Sequence, residues 1–337
     1  TQEMADDYIR MGCAEAKYAK PPSASGEQSI NKNILIAGGG ISGMTAAIEA
    51  SKAGYPCTIV EKTGVLGGAT AQLYKKIPTK APYTDPVDNG VAELIAAVEA
   101  DSNISVHLNS TLTNTAGAPG RFEADISTES GSTETKSFGA IVQASGFKPY
   151  DANQLPEYSY GKNKDVVTQA ELELLAIEAS GGAIKRPSDG KEIQSVLFIQ
   201  CAGQRSTKEN HLSHCSGYCC SASIKQSMYF KDQNPDIDTT VLYTDLRTPG
   251  AGGENFYRSG QQKGVIFTKG VASEVVDAAS PVVKFKDLIL DEDVDLEVDL
   301  VVLATGMVPN SGQETAADLT IEENEDKAEA KASEKSR

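Results

Sequence analysis

The chain has 337 residues, six cysteines and a formal net charge of −16. That length predicts about two domains, each able to bury a core, and excludes a small disulfide-stapled scaffold; the acidic balance argues against nucleic acid or an anionic membrane surface as partner. No apolar run nears the roughly 20 residues needed to span a bilayer, and the start Thr1-QEMADDYIR lacks the basic-then-apolar order of a secretory signal, so a soluble cytoplasmic protein without a membrane span is expected.

Residues 1–31 read as a polar, irregular N-terminal arm ending in Pro21-Pro22-Ser-Ala-Ser-Gly26. Its Cys13 stands alone, which suits a free or partner-facing thiol better than a metal ligand. From Asn33 the pattern changes. Ile34-Leu35-Ile36-Ala37 predicts a buried strand, Gly38-Gly39-Gly40-Ile41-Ser42-Gly43 a tight turn, the residues to Ala53 an amphipathic helix, and Thr58-Ile59-Val60 a second strand ending on Glu61.

This βαβ opening carries GxGxxG on Gly38, Gly40 and Gly43, in the strand-to-helix setting that a dinucleotide requires. The first glycine makes the turn, the second lets the backbone approach a pyrophosphate, and the third lets helix and strand pack closely. Ser42 lies at the helix amino end, where the dipole favours an anion. Glu61, about 20 residues on, is placed to accept from ribose hydroxyls and to repel the extra phosphate of NADP. The following Lys62-TGVL-Gly67-Gly68 is either a plain loop or the extension of that cradle. It resembles the extended signature of two-dinucleotide-domain flavoproteins, which favours FAD over NAD.

Two later strands end in similar turns, Ala140-IVQA-Ser145-Gly146-FK-Pro149 and Asp299-LVVLA-Thr305-Gly306-MV-Pro309. Both look like crossings out of and back into an FAD domain. The expected organisation is an arm over 1–31, a discontinuous FAD domain over 32–150 and 285–312, an inserted domain over 151–284 and a charged tail over 313–337. The insert opens with a helix around Asp165–Ser180. It then repeats βαβ: a strand over 195–200, a helix from about Cys219 to Lys231, and the strand Thr239-TVL-Tyr243 leading to Asp245.

The turn of this second unit reads Cys201-Ala-Gly203-Gln-Arg205, followed by a long polar loop to Cys215, Cys219 and Cys220. A phosphate cradle is missing, which disfavours NAD(P)H there despite Asp245. Four thiolates suit a four-iron cluster or a structural zinc. The adjacent Cys219-Cys220 departs from zinc-ribbon spacing, while a cluster can accept neighbours on different irons. A redox-active thiol pair and inert buried cysteines are the other readings. His211 and His214 share the loop and read as surface or supporting residues, and His107 as a structural histidine. Lys225 falls about 7.5 Å along the helix from Cys220. It is either a solvated lysine or a cation near a reduced flavin.

The segments Arg186-PSDG, Phe198-IQCAGQR, Tyr218-CCSASIK, Leu242-YTDLRT and Lys263-GVIFTKG resemble the A-type flavoprotein subunits of heterodisulfide reductase and their relatives, over roughly residues 33–310. The resemblance implies an α/β, thioredoxin-reductase-like fold with a Rossmann-type FAD domain and an inserted second α/β domain carrying a four-iron four-sulfur cluster. It implies Cys201, Cys215, Cys219 and Cys220 as cluster ligands and Lys225 as a flavin-ring contact. It also implies homodimerisation, and partner subunits carrying iron–sulfur and disulfide chemistry. The chain lacks the ferredoxin-type CxxCxxCxxxCP runs of longer members, a thiol in the Ile77-PTKAPYTDPVDNG region that follows Gly67-Gly68, and a visible Gly-Asp strand after Met307, so either the tail replaces a missing lobe or FAD binding is weakened or completed by another chain. The short form resembles the bacterial heterodisulfide reductase-like system associated with sulfur oxidation. The expected function is electron transfer between FAD, cluster and partner subunits; the alternatives are a stand-alone NAD(P)H-dependent flavin disulfide reductase and a zinc-braced, non-catalytic scaffold.

Overall fold

The computed structural model describes residues 1–20, 30–209 and 211–311. The Pro21–Gly26 linker and the charged tail over 313–337 lie outside them. The amino-terminal arm is not irregular: Gln2–Tyr18 form helix α1, none of whose residues is buried. Ala, Glu, Met, Arg and Lys are strong helix formers. A Gln2–Asp6 hydrogen bond of 3.1 Å and an Arg10–Asp7 pair at 3.6 Å add local support without a core.

The first sheet comprises β1 (Ile34–Ala37), followed by α2 (Ile41–Lys52), and β2 (Cys57–Val60), followed by α3 (Val91–Ala100) and β3 (Ile104–His107). An antiparallel meander of β4 (Ser110–Ala118), β5 (Arg121–Thr128) and β6 (Thr133–Phe138) leads to β7 (Ala140–Gln143). The parallel order is β3-β2-β1-β7. The strands are short apolar runs because both faces are covered. Ile36 and Ile59 pack with Met44, Ala47 and Val98 on the helical side, while Leu35 and Val60 pack with Ile126 and Phe138 of the meander.

The chain leaves through β8 (Phe147–Pro149) and enters a second sheet. Its elements are β9 (Val166–Thr168), α4 (Gln169–Ala179), β10 (Ser195–Ile199), α5 (Cys219–Gln233), β11 (Asp238–Tyr243), α6 (Gly253–Gln262), β12 (Ile266–Val276), β13 (Val282–Asp287), β14 (Glu292–Glu297) and β15 (Leu300–Leu303). A capping box starts α4: the Thr168 side chain accepts from the Glu171 N–H, and the Glu171 carboxylate from the Thr168 N–H. The strand order is β14-β13-β12-β11-β10-β15-β9.

That order departs from the expected return to the FAD domain at residue 285. Val301, Val302 and Leu303 pair with Leu197, Phe198 and Ile199 on one side and with Val166, Val167 and Thr168 on the other. Four consecutive buried apolar residues demand a covered, central position, and both sheets offer one; register against β10 decides between them. The crossing itself follows β15, where β16 (Met307–Pro309) runs antiparallel to β8, Met307 opposite Pro149.

Arg186 ties the amino ends of this second sheet together. It donates to Asp165 Oδ2 at 2.6 Å and to the Ala279 carbonyl at 2.5 Å, and it pairs with Asp299 at 3.4 Å. Arg186 is 8% exposed and Asp165 1%. Arg186 is therefore the buried centre of a polar joint, while Ser188, Asp189 and Gly190 of the same segment are exposed.

Candidate functional site

The glycine turn after β1 is shaped by what its residues lack. A Cβ on Gly38, at φ +112°, would lie 2.2 Å from the Ala144 carbonyl oxygen, and one on Gly43 would lie 1.9 Å from the Gly38 carbonyl oxygen. Both positions are closed to a side chain by backbone. Gly40 differs: the nearest atom to an added Cβ is Gly68 Cα, 3.9 Å away. Its outer face is open, as a backbone meant for close approach by a ligand must be. Gly67 N donates to Gly39 O at 2.9 Å, so the two glycine segments form one concave wall. Ser42 is exposed in the first turn of α2, and Lys62 is exposed beyond Glu61.

Glu61 is 8% exposed, and its carboxylate holds the turn. Oε2 accepts from Gly39 N at 2.7 Å, and Oε1 accepts from the backbone N–H and hydroxyl of Thr63 at 2.8 Å each. The expected ribose contact would have to share these oxygens, which keep lone-pair capacity beyond the bonds seen. Thr63 carries no signal in the sequence, being an ordinary loop threonine. Ser145 and Gly146 close the wall from the other side. Asn310 N donates to Gly146 O, and Asn310 Nδ2 to Ser145 O, each at 3.0 Å.

Thr305 and Gly306 are not part of this wall. Thr305 is buried beside the cysteine turn, and its carbonyl accepts from Gln204 Nε2 at 2.9 Å. A Cβ on Gly306 would meet that same amide at 2.2 Å. The likeness of the two crossing turns misleads because both end a buried strand, whereas the sheet each strand joins decides what its turn touches.

The cysteine turn opens on Cys201 at φ +58°, a strained left-handed conformation for a residue with a side chain. Cys201, Cys215, Cys219 and Cys220 line one small cavity, with Tyr218 and Arg205. Cys219 and Cys220 start α5, whose amino end favours negative charge. Ser216 Oγ lies 3.2 Å from Cys219 Sγ, Gly217 N donates to Cys215 Sγ at 3.4 Å, and Arg205 pairs with Asp245 at 2.7 Å beside Cys201.

Burial pushes the Cys219 thiol up to about 12 and also raises those of Cys201 and Cys220, although Arg205 pulls Cys201 the other way. Thiolates here need a further positive charge to form. Among the described residues no three His, Cys, Asp or Glu side chains are grouped to hold a single metal ion. The two loop histidines stay apart from the cavity: His211 Nδ1 meets the Tyr150 hydroxyl at 2.6 Å, and His214 O accepts from Arg205 N at 3.1 Å. Cys57 is a buried core thiol and Cys13 is exposed on α1.

Lys225, 1% exposed, sits where the two sheets' layers meet. Its Nζ donates to Glu173 Oε1 at 2.8 Å and to the Lys75 carbonyl at 2.6 Å. Burial lowers its pKa, and the Glu173 carboxylate opposes that shift. The same Nζ lies over the Tyr229 ring, 5.8 Å from its centroid. Glu173 also accepts from Tyr74 N at 2.9 Å and from the Tyr229 hydroxyl at 3.2 Å, clamping the loop that follows Gly67-Gly68 against the second layer. Sequence reasoning misses Glu173; the one available signal is a carboxylate on the buried face of a helix.

The FAD dependent oxidoreductase family profile matches residues 33–196. The A-type subunit of the Ferredoxin/F(420)H(2)-dependent CoB-CoM heterodisulfide reductase of Methanosarcina acetivorans is 29% identical, over 93% of this chain and 49% of that protein. One of the A-type iron-sulfur subunits of the CoB–CoM heterodisulfide reductase of Methanopyrus kandleri is 26% identical, over 94% and 60%. The chain thus spans about half the length of the curated relatives it matches. Among solved structures, T. acidophilum thioredoxin reductase superposes with a TM-score of 0.52 at 17% identity, over 83% of this chain and 79% of that one, which speaks to fold alone. Over residues 33–196 the chain is similar to FAD dependent oxidoreductases, its fold is thioredoxin-reductase-like, and along most of its length it is similar to the A-type subunits of heterodisulfide reductase.

Proposed function

We propose that the chain is the electron-transfer flavoprotein of a heterodisulfide reductase-like complex, with FAD on the glycine wall and a four-iron four-sulfur cluster on Cys201, Cys215, Cys219 and Cys220. The observation that carries this reading is the gathering of all four cysteines around one cavity at the turn where a second dinucleotide would otherwise lie. Bound FAD would supply two-electron chemistry and the cluster one-electron chemistry. The residues supply the rest. Gly40 and Gly68 leave the pyrophosphate its space, Glu61 holds the turn and faces the ribose, Ser145 and Gly146 close the far side, and Lys225 is the cation near the flavin. Four thiols around one cavity supply the four ligands that a four-iron cluster takes.

The wider assignment follows the same reading: a homodimer in the cytoplasm, exchanging electrons with iron–sulfur and disulfide-site subunits in sulfur metabolism. Among the described residues no helix is long and apolar enough to cross a membrane. A nicotinamide-dependent disulfide reductase fits less well. Gln204 fills the space beside Gly306, and the buried thiols are raised away from the thiolate form that attacks disulfides. A zinc-braced scaffold fits less well because the adjacent Cys219-Cys220 departs from zinc-ribbon spacing.

Anaerobically reconstituted protein should carry flavin together with iron and acid-labile sulfide in equal amounts. Flavin bleached rapidly by NADH or NADPH would favour the disulfide reductase instead, and zinc without flavin the scaffold.

A further inference from the structure

We infer that Gln204 is a positioning residue that locks the cysteine cavity to the crossing between the sheets, and that it tunes the reduction potential there by aiming two hydrogen-bond donors at cysteine sulfurs. The inference rests on the reading of the four cysteines as cluster ligands. Gln204 is 3% exposed, and every polar group of its amide is engaged. Nε2 donates to Thr305 O at 2.9 Å and, more weakly, to Met307 O at 3.4 Å; Oε1 accepts from Ser216 N at 3.0 Å. Two carbonyl oxygens on one side and an N–H on the other leave the amide a single orientation. Gly306 has no side chain where this amide sits, so crossing and turn are built around it.

The grip on Ser216 matters because of its neighbours. Ser216 Oγ lies 3.2 Å from Cys219 Sγ; with Cys219 bound to a cluster its sulfur would carry no proton, and the hydroxyl would be the donor. Gly217 N, one residue on, donates to Cys215 Sγ at 3.4 Å. Both donors lie in the three-residue bridge between Cys215 and Cys219, and Gln204 anchors the first residue of that bridge to the far side of the cavity. Hydrogen bonds to the sulfurs are a principal determinant of cluster potential, since they stabilise the more negative, reduced state. Loss of the anchor frees the bridge, weakens both donors and lowers the potential. Ser216 bonds to Gln204 and to the cysteine bridge and not to the glycine wall, so flavin should be unaffected in Ser216→Ala.

The test is an anaerobic redox titration of the reconstituted full chain, followed by paramagnetic resonance, for the parent, Gln204→Leu, Ser216→Ala and the double variant. Ser216→Ala removes one donor without disturbing the fold. It should shift the redox equilibrium toward the oxidised form, and Gln204→Leu should shift it further, by about tenfold or about 59 mV for one electron. The double variant should lie close to Gln204→Leu, because the two residues act in series. Iron, sulfide and flavin content should match the parent in Ser216→Ala. A parent that takes up iron, with potentials unmoved in both single variants, overturns this inference and leaves the cluster assignment standing. Fully additive shifts would also overturn it. A parent without iron after reconstitution overturns both.

Discussion

The turn after β1 and the turn after β10 occupy the same position in the parallel parts of two sheets, each following a buried strand and leading toward a helix. At the first, Gly38 and Gly43 are closed in by backbone while Gly40 opens outward. At the second, Cys201 holds a left-handed conformation with its side chain retained, and the Gln204 amide packs against the backbone of Gly306. One scaffold position thus serves either as an open backbone cradle or as the start of a thiol cavity. The choice rests on whether the turn residues carry side chains.

The largest effect that would break this contrast lies at the cysteine turn. Cys219→Ala should abolish the iron signal completely while leaving flavin absorbance at parental level; an unchanged iron content would remove the cysteine turn from the site. Next comes the joint beneath that turn. Arg186→Met leaves Asp165 buried without its partner, a loss of about 3–5 kcal/mol. Denaturant unfolding should register it, with the cluster spectrum of the surviving folded protein unchanged.

At the glycine turn, Gly40→Val and Gly43→Ala separate cradle from packing. The first has room for its Cβ and should fold normally yet bind FAD more than tenfold more weakly, about 1.4 kcal/mol or more. The second must displace the Gly38 carbonyl and should lose stability as well as flavin. Flavin titration with a parallel melting curve distinguishes them, and equal behaviour of the two variants would contradict the open-face reading of Gly40.

The smallest expected effect concerns the surface contact between the layers, where Lys263 Nζ meets Asp85 at 2.9 Å. The hydrogen bond from Lys263 lowers the Asp85 pKa below its ordinary 3.8. Its contribution is therefore present above about pH 3.8 and lost as the pH falls through the lowered value. Because the pair is largely exposed, it is worth under about 1 kcal/mol. Melting curves of the parent and Asp85→Asn should differ slightly at neutral pH and converge in acid.

Local pattern makes the two βαβ units legible, since apolar runs, glycine spacing and a terminal acid are contiguous in sequence. The same locality hides the rest. Helix α1 carries Met4, Tyr8 and Met11 at helical spacing among many polar residues, but all three are exposed, so no core marks the segment as part of the fold. Thr305 and Gly306 point to the flavin by the likeness of their motif to Ser145-Gly146, yet β15 joins the second sheet. Glu173 and Gln204 carry no motif, being one polar residue among many on a helix and in a loop.

By itself the sequence determined the parallel α/β units, the glycine cradle and the membership of the cysteine group, because each is encoded in residues close together along the chain. Tertiary structure alone decided which sheet β15 enters, which carboxylate meets Lys225, and which amide anchors the cysteine bridge. The first two of these join residues about fifty to a hundred positions apart, and all three partners are selected by register and burial, which no local pattern records.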